Sequence, residues 1–149
     1  MTVVRAAVTT DVLDPAAHAA LVAHPSCGAV ASFTGVIRDH DPEAAGEVTE
    51  IEYTHHPDAG AVLQALVERV LASTAGGGEA RVAVSHRVGR LAVGDVALCC
   101  AVATAHRAEA FALCAAIVEA IKAELPIWKR QYEADGRAVW SGLRLGESR

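Results

Sequence analysis

The sequence predicts an α+β fold: a mixed or largely antiparallel sheet with two main helices. Strand-like runs outnumber helical ones, and the two kinds are not regularly interleaved as a βαβ chain would require. Long apolar patterns of helical period begin only near Pro57 and Thr104. At 149 residues, the chain is expected to form one domain over 1–149, with a core that needs no staples.

Val3 to Val8 reads as a first strand. Asp14-Pro15 supplies an N-cap and a first-turn proline for a short helix through Ala23, closed by His24-Pro25. Cys27 to Ile37 (CGAVASFTGVI) is a strand of small residues ending near Gly35, and the polar run Asp39 to Gly46 is a loop. Glu47 to His55 alternates as a strand, with Val48, Ile51 and Tyr53 as its apolar positions. Pro57-Asp58 starts a helix that turns Val62, Leu66, Val70 and possible partner Leu63 inward, and Ala75-Gly76-Gly77-Gly78 ends it. Arg81 to Val88 is a strand, Gly89 to Asp95 a glycine-bounded connection, and Val96 to Ala103 a buried strand. Glu133 to Arg137 holds a hairpin signal with Asp135-Gly136 at its centre; Val139-Trp140 follows, and Gly142 to Arg149 reads as a loose tail.

The stretch from Thr104 to Tyr132 organises the rest. With Thr104 as N-cap, Ala110, Phe111, Cys114, Ile117, Val118, Ile121 and Leu125 fall on one helical face. Pro126 forbids continuation, and Ile127 to Tyr132 has bulky residues at strand spacing. Two cations break the apolar pattern: Arg107 projects onto the apolar sector, and Lys122 lies at its border. Lys122 must either snorkel outward or hold its ammonium in a semi-apolar cleft. Composition bears on that choice. Of 13 Lys plus Arg, only Lys122 and Lys129 are lysines, which leaves eleven arginines. A lysine in a cleft can give up its proton, whereas arginine does not. Lys122 at the helix end and Lys129 beyond the proline turn are therefore read as the chemical centre.

Charge and cysteine usage exclude several classes. A net charge of −5 argues against a nucleic-acid surface, so any cationic site must be local. Cys27, Cys99, Cys100 and Cys114 have no metal-ligand spacing and read as reduced core thiols. No metal and no cofactor is expected. The absence of a signal-like start and of a membrane-length apolar run gives a cytoplasmic expectation with no membrane partner. His55-His56 reads as surface or as a support one layer behind a site, and His86-Arg87 as structural. His106-Arg107 sits where free helix N–H groups favour an anion; it forms a phosphate site with Arg38, or else a cap and core edge.

These residues resemble the large, catalytic subunit of molybdopterin synthase. The matching pieces are GAVASFTGVIR (Gly28 to Arg38), IEYTHHP (Ile51 to Pro57), VSHRVGRLAVGD (Val84 to Asp95), AHRAEAF (Ala105 to Phe111) and IKAELPIWKRQ (Ile121 to Gln131). The resemblance implies an α/β-hammerhead-like fold and a homodimer. Each subunit is expected to bind a small ubiquitin-like sulfur-carrier subunit with a C-terminal Gly-Gly thiocarboxylate, giving a heterotetramer. The implied reaction inserts two dithiolene sulfurs into cyclic pyranopterin monophosphate. Lys122 and Lys129 take the catalytic positions; Val36, Ile37, Arg38, His106, Arg107, Lys122, Lys129, Arg130 and Gln131 fall in substrate-contact segments. The resemblance also implies a pocket near the dimer interface, with His106 and Arg107 able to serve the neighbouring chain. Val118, His56 and Gln131 depart from the family pattern. The alternative is a non-catalytic anion-binding or adaptor subunit of the same fold.

Overall fold

Among the described residues, the order is β1(Thr2–Thr9), α1(Pro15–Val22), β2(Ala29–Val36), β3(Val48–His55), α2(Ala59–Ser73), β4(Ala80–Arg87), β5(Gly89–Ala92), β6(Val96–Thr104), α3(Arg107–Glu124), β7(Ile127–Glu133) and β8(Ala138–Ser141). This computed structural model describes residues 1–41, 46–74 and 78–141. The middle of the expected Asp39 to Gly46 loop, Ala75, Gly76 and Gly77 of the helix stop, and the tail from Gly142 lie outside them.

The strands form two four-stranded sheets, ordered β1-β4-β6-β2 and β5-β3-β7-β8. β1 runs parallel to β4, while the other pairings are antiparallel, so the mixed-sheet expectation holds. Alternation along β4 and β6 divides the core of the first sheet. Val82, Val84, Cys100 and Val102 pack with Leu63, Leu66 and Val67 of α2 and with Leu113 and Ile117 of α3. Ala83, Ala101 and Ala103 point to the other face, where Val22 of α1 covers them. Small residues on that face let the short helix lie close. The second sheet has its own apolar centre, built from Val48, Ile51 and Leu91 together with Ile37 and Ala97 from the first sheet's strand ends. All four cysteines are free; Cys99, Cys100 and Cys114 are buried, as expected of core thiols.

Several local expectations are corrected. Residues 89 to 95 are not a bare connection: Gly89–Ala92 pairs with β3, because Leu91 can bury against Ile51. Thr104 does not cap α3. It ends β6, and its hydroxyl donates to the His106 carbonyl, while His106 takes the N-cap position. Phe111 is 67% exposed and Leu113 replaces it in the core. Phe111 overhangs an open groove between α3 and β2, so a place on the apolar sector does not bury it. The inward face of α2 is Ala59, Leu63, Leu66, Val67 and Leu71, with Val62 and Val70 only half-buried. The Asp-Gly hairpin is present, and Gly136 has the positive φ of 86° that the turn requires.

Candidate active site

The site lies where the two sheets meet. Gly35 of β2, Leu98 of β6 and His86 of β4 stand in one register row across the first sheet. α3 follows β6 and runs back along the sheet, so its last turn returns to this row. That turn carries Lys122, where an ammonium also suits the negative end of the helix dipole. Pro126 then stops the helix: the N–H of Leu125 closes onto the Ile121 carbonyl at 3.0 Å, and the chain turns into β7. On β7, Lys129 stands directly opposite Tyr53 of β3. Tyr53 in turn meets His86 edge-to-face, with ring centroids 5.0 Å apart and an interplanar angle of 79°. Thus Lys122 approaches the Tyr53–His86 pair from the helix and Lys129 from the second sheet.

Burial sets the protonation of this pair. His86 is 8% exposed, and its pKa is pushed down to about 4 by desolvation and by the nearby Lys122 charge, against the opposing bond to the Arg87 carbonyl. Burial raises the Tyr53 phenol to about 12. Both rings are therefore neutral near pH 7. Lys129 donates to the Asp41 carboxylate at 3.2 Å, and both side chains are largely covered (27% and 14% exposed). This is a charge-assisted bond at a half-buried position. Lys122 itself is exposed at the helix surface.

The remaining expected residues fall in three places. Val36 ends β2 at the same end of the sheet as His86, and Ile37 and Arg38 follow it; Ile37 is buried, whereas Val36 and Arg38 are exposed. Lys129 and Gln131 share the inner face of β7, but Arg130 lies on the outer face, stacked on Tyr132 and Trp140 at 5.5 and 5.4 Å. Gln131 is fully buried, and its Nε2 and Oε1 have no hydrogen-bond partner among the described residues. His106 and Arg107 are exposed at the opposite end of α3. Fifteen residues separate Arg107 from Lys122, about 22 Å along the helix axis. No single chain brings these two cations to one small molecule.

Sequence reasoning overlooked Asp41 and assigned His86 no chemical role. Asp41 sits in a polar loop, and its partner is 88 residues away, so no local pattern reveals it. The β3 pattern did make Tyr53 an apolar candidate, and His86-Arg87 read as a structural pair in a strand, but only the inter-sheet packing joins Tyr53 to His86. Among the described residues, no three His, Cys, Asp or Glu side chains gather as a metal site, and no helix is long and apolar enough to cross a membrane.

Fold and site together define a two-sheet α+β protein that presents its lysines at the seam between the sheets. The chain belongs to the MoaE protein family, which matches residues 8–124. It is 38% identical over 130 residues to molybdopterin synthase catalytic subunit 1 of Mycobacterium tuberculosis, covering 84% of this chain and 82% of the relative. It is 41% identical over 125 residues to the molybdopterin synthase catalytic subunit of Ralstonia nicotianae, covering 84% and 68%. The crystal structure of molybdopterin synthase from Staphylococcus aureus superposes with a TM-score of 0.80 at 26% identity, over 91% of this chain and 95% of that one. The hammerhead-like α+β architecture expected from the sequence is the one the chain adopts.

Proposed function

We propose that residues 1–149 work as one molybdopterin synthase large-subunit domain, a sulfurtransferase in molybdenum cofactor biosynthesis. Its substrate is cyclic pyranopterin monophosphate. Its sulfur comes from the C-terminal Gly-Gly thiocarboxylate of a small ubiquitin-like carrier, and its product is the dithiolene of molybdopterin. The reaction is expected in the cytoplasm. The observation that carries this reading is the convergence of the chain's two lysines on the Tyr53–His86 pair.

The chemistry follows from charge. Phosphate and thiocarboxylate are both anions, and an acidic protein must concentrate its cations to hold them. Lys129 and Arg38 bind and orient. Lys122 exchanges a proton with the reacting centre, a task that an ammonium–amine couple performs and a guanidinium does not. Arg130 and Gln131 follow Lys129 on β7, Arg130 on the outer face and Gln131 with a buried amide on the inner one.

His106 and Arg107 enter through a second copy. β2 is an edge strand of the first sheet, and Phe33, Phe111 and Val118 line an apolar groove of about 300 Å³ beside it. Two copies pairing antiparallel along β2 bury this groove and exchange strand ends. The Ala29 end of one copy, close to its own His106 and Arg107, then reaches the Val36 and Arg38 end of the other. Two carriers on the homodimer complete a heterotetramer.

An extended Gly-Gly tail suits a narrow cleft because glycine threads it without side-chain collisions. Calorimetry and turnover with full-length and tail-truncated carrier test the reading. The truncated carrier is expected to bind through its globular body and to transfer no sulfur. Sulfur transfer by the truncated carrier, or no binding of the full-length carrier at micromolar concentration, overturns it.

A further inference from the structure

Two cysteines have no task in the reading above, and the fold sets them against each other. Cys100 on β6 is 1% exposed and packs toward α3 among Val84, Val102, Leu113 and Ile117. Cys114 on α3 meets it there: its thiol donates to the Cys100 carbonyl, with Sγ and oxygen 3.8 Å apart. Cys114 also lines the groove between α3 and β2, with Phe33, Phe111 and Val118. One cysteine thus borders a solvent-open space, and the other stands directly behind it. The remaining thiols lie elsewhere. Alternation along β6 turns Cys99 to the opposite face, near the Asp14 charge at the start of α1, and Cys27 packs on that face too. The pair is also polarised. A hydrogen bond between the two thiols, together with burial, raises the Cys100 pKa, while the same bond holds the Cys114 pKa below the ordinary thiol value against desolvation. Cys114 is therefore the member that reaches the thiolate form, which is the nucleophile.

We propose that Cys114 and Cys100 form a modification site for a hydroperoxide, with Cys114 as the attacking thiol and Cys100 as the resolving one. The Cys114 thiolate attacks one peroxide oxygen, the O–O bond breaks, and a sulfenic acid forms. With hydrogen peroxide, the departing hydroxide takes up the proton that Cys114 released and leaves as water. The Cys100 sulfur then attacks the Cys114 sulfur, the S–O bond breaks, and that hydroxide leaves with the Cys100 proton as a second water. The two thiols are oxidised to one disulfide, and the peroxide is reduced. The bridge draws the sulfurs to about 2.05 Å, so it staples α3 to β6 and shifts the wall of the groove. In the pairing proposed above a second copy covers this groove, which makes the free subunit the reactive form. The thiol chemistry itself does not depend on that pairing.

The test treats the full chain with hydrogen peroxide, at protein concentrations on either side of the dimer midpoint found by sedimentation. Free thiols are then blocked with N-ethylmaleimide, and cross-links are mapped by peptide mass spectrometry. The expected product is a Cys100–Cys114 bridge that dithiothreitol reverses. Cys100→Ser is expected to stop at a Cys114 sulfenic acid, which dimedone traps, and Cys114→Ser to slow thiol loss about tenfold or more. A bridge through Cys99 or Cys27 overturns the proposal, as does equally fast thiol loss in folded Cys114→Ser. Survival of all thiols in the dilute, folded wild-type protein overturns it too. If Cys114→Ser does not fold, the dimedone adduct in Cys100→Ser decides, supporting the proposal on Cys114 and overturning it on any other cysteine. Slower reaction in the concentrated sample is the expected effect of pairing. Equal rates at both concentrations count against pairing along β2 alone, since the mapped bridge still reports the thiol pair.

Discussion

Two impaired variants should restore one another when mixed. On the proposed reading, Lys122→Arg removes the proton exchange, and Arg107→Ala removes a charged hydrogen bond to the substrate, which is expected to lower its affinity about ten- to a hundredfold. The two positions lie about 22 Å apart along α3, so the proposed site takes Lys122 from one chain and Arg107 from the other. In a dimer that joins one chain of each variant, one site carries both lesions and the other carries neither. Random exchange of subunits makes about half of the dimers mixed, so about a quarter of all sites are intact. The assay unfolds and refolds the two variants together, adds thiocarboxylated carrier and cyclic pterin, and measures dithiolene product against wild type at equal total protein. Activity near a quarter of wild type is the expected outcome. Activity no higher than the sum of the separately refolded variants refutes the shared site.

Four further outcomes follow from the geometry. Asp41→Asn leaves Lys129 without its carboxylate partner and is expected to tighten phosphate binding about fivefold, roughly 1 kcal/mol, by calorimetry; weaker binding would show that Asp41 orients Lys129 rather than competing with the anion. Ile117→Ala opens the core between α3 and the first sheet at a fully buried position and should cost about 3 kcal/mol in denaturant unfolding; Phe111→Ser, at an exposed position, should leave subunit folding intact and shift sedimentation toward monomer. Stability should also depend on His86. The folded pKa of about 4 lies below the unfolded value, so the unfolded chain binds more protons between about pH 6.5 and 4. Stability from this group is fully present above that window and declines through it on acidification, by about 3 kcal/mol in all, and the decline should vanish in His86→Phe.

The sequence revealed whatever is encoded locally. Pro126 placed the end of α3 and the turn into β7 within a residue, Asp14-Pro15 placed the start of α1, and Asp135-Gly136 placed the last hairpin. Scarcity of lysine pointed to Lys122 and Lys129 before any geometry existed. Non-local packing was not legible. Phe111 and Val118 share an angular position on α3, yet only Val118 is covered, because α3 overhangs the edge of β2. Gly89–Ala92 reads as a loop until β3 is there to pair with it. The contacts Tyr53–His86 and Asp41–Lys129 join residues far apart in the chain, and no periodicity announces them.

The central claim is that lysine chemistry at the seam transfers sulfur, and Lys122→Arg tests it most directly. This substitution keeps the charge and much of the length while removing the accessible neutral amine. The measurement is dithiolene formed from cyclic pyranopterin monophosphate and thiocarboxylated carrier, with circular dichroism and carrier binding as controls. The expected result is a folded protein that binds carrier within about twofold of wild type and loses product formation by about a hundredfold or more. Near-normal product formation by the Lys122→Arg protein would contradict the account.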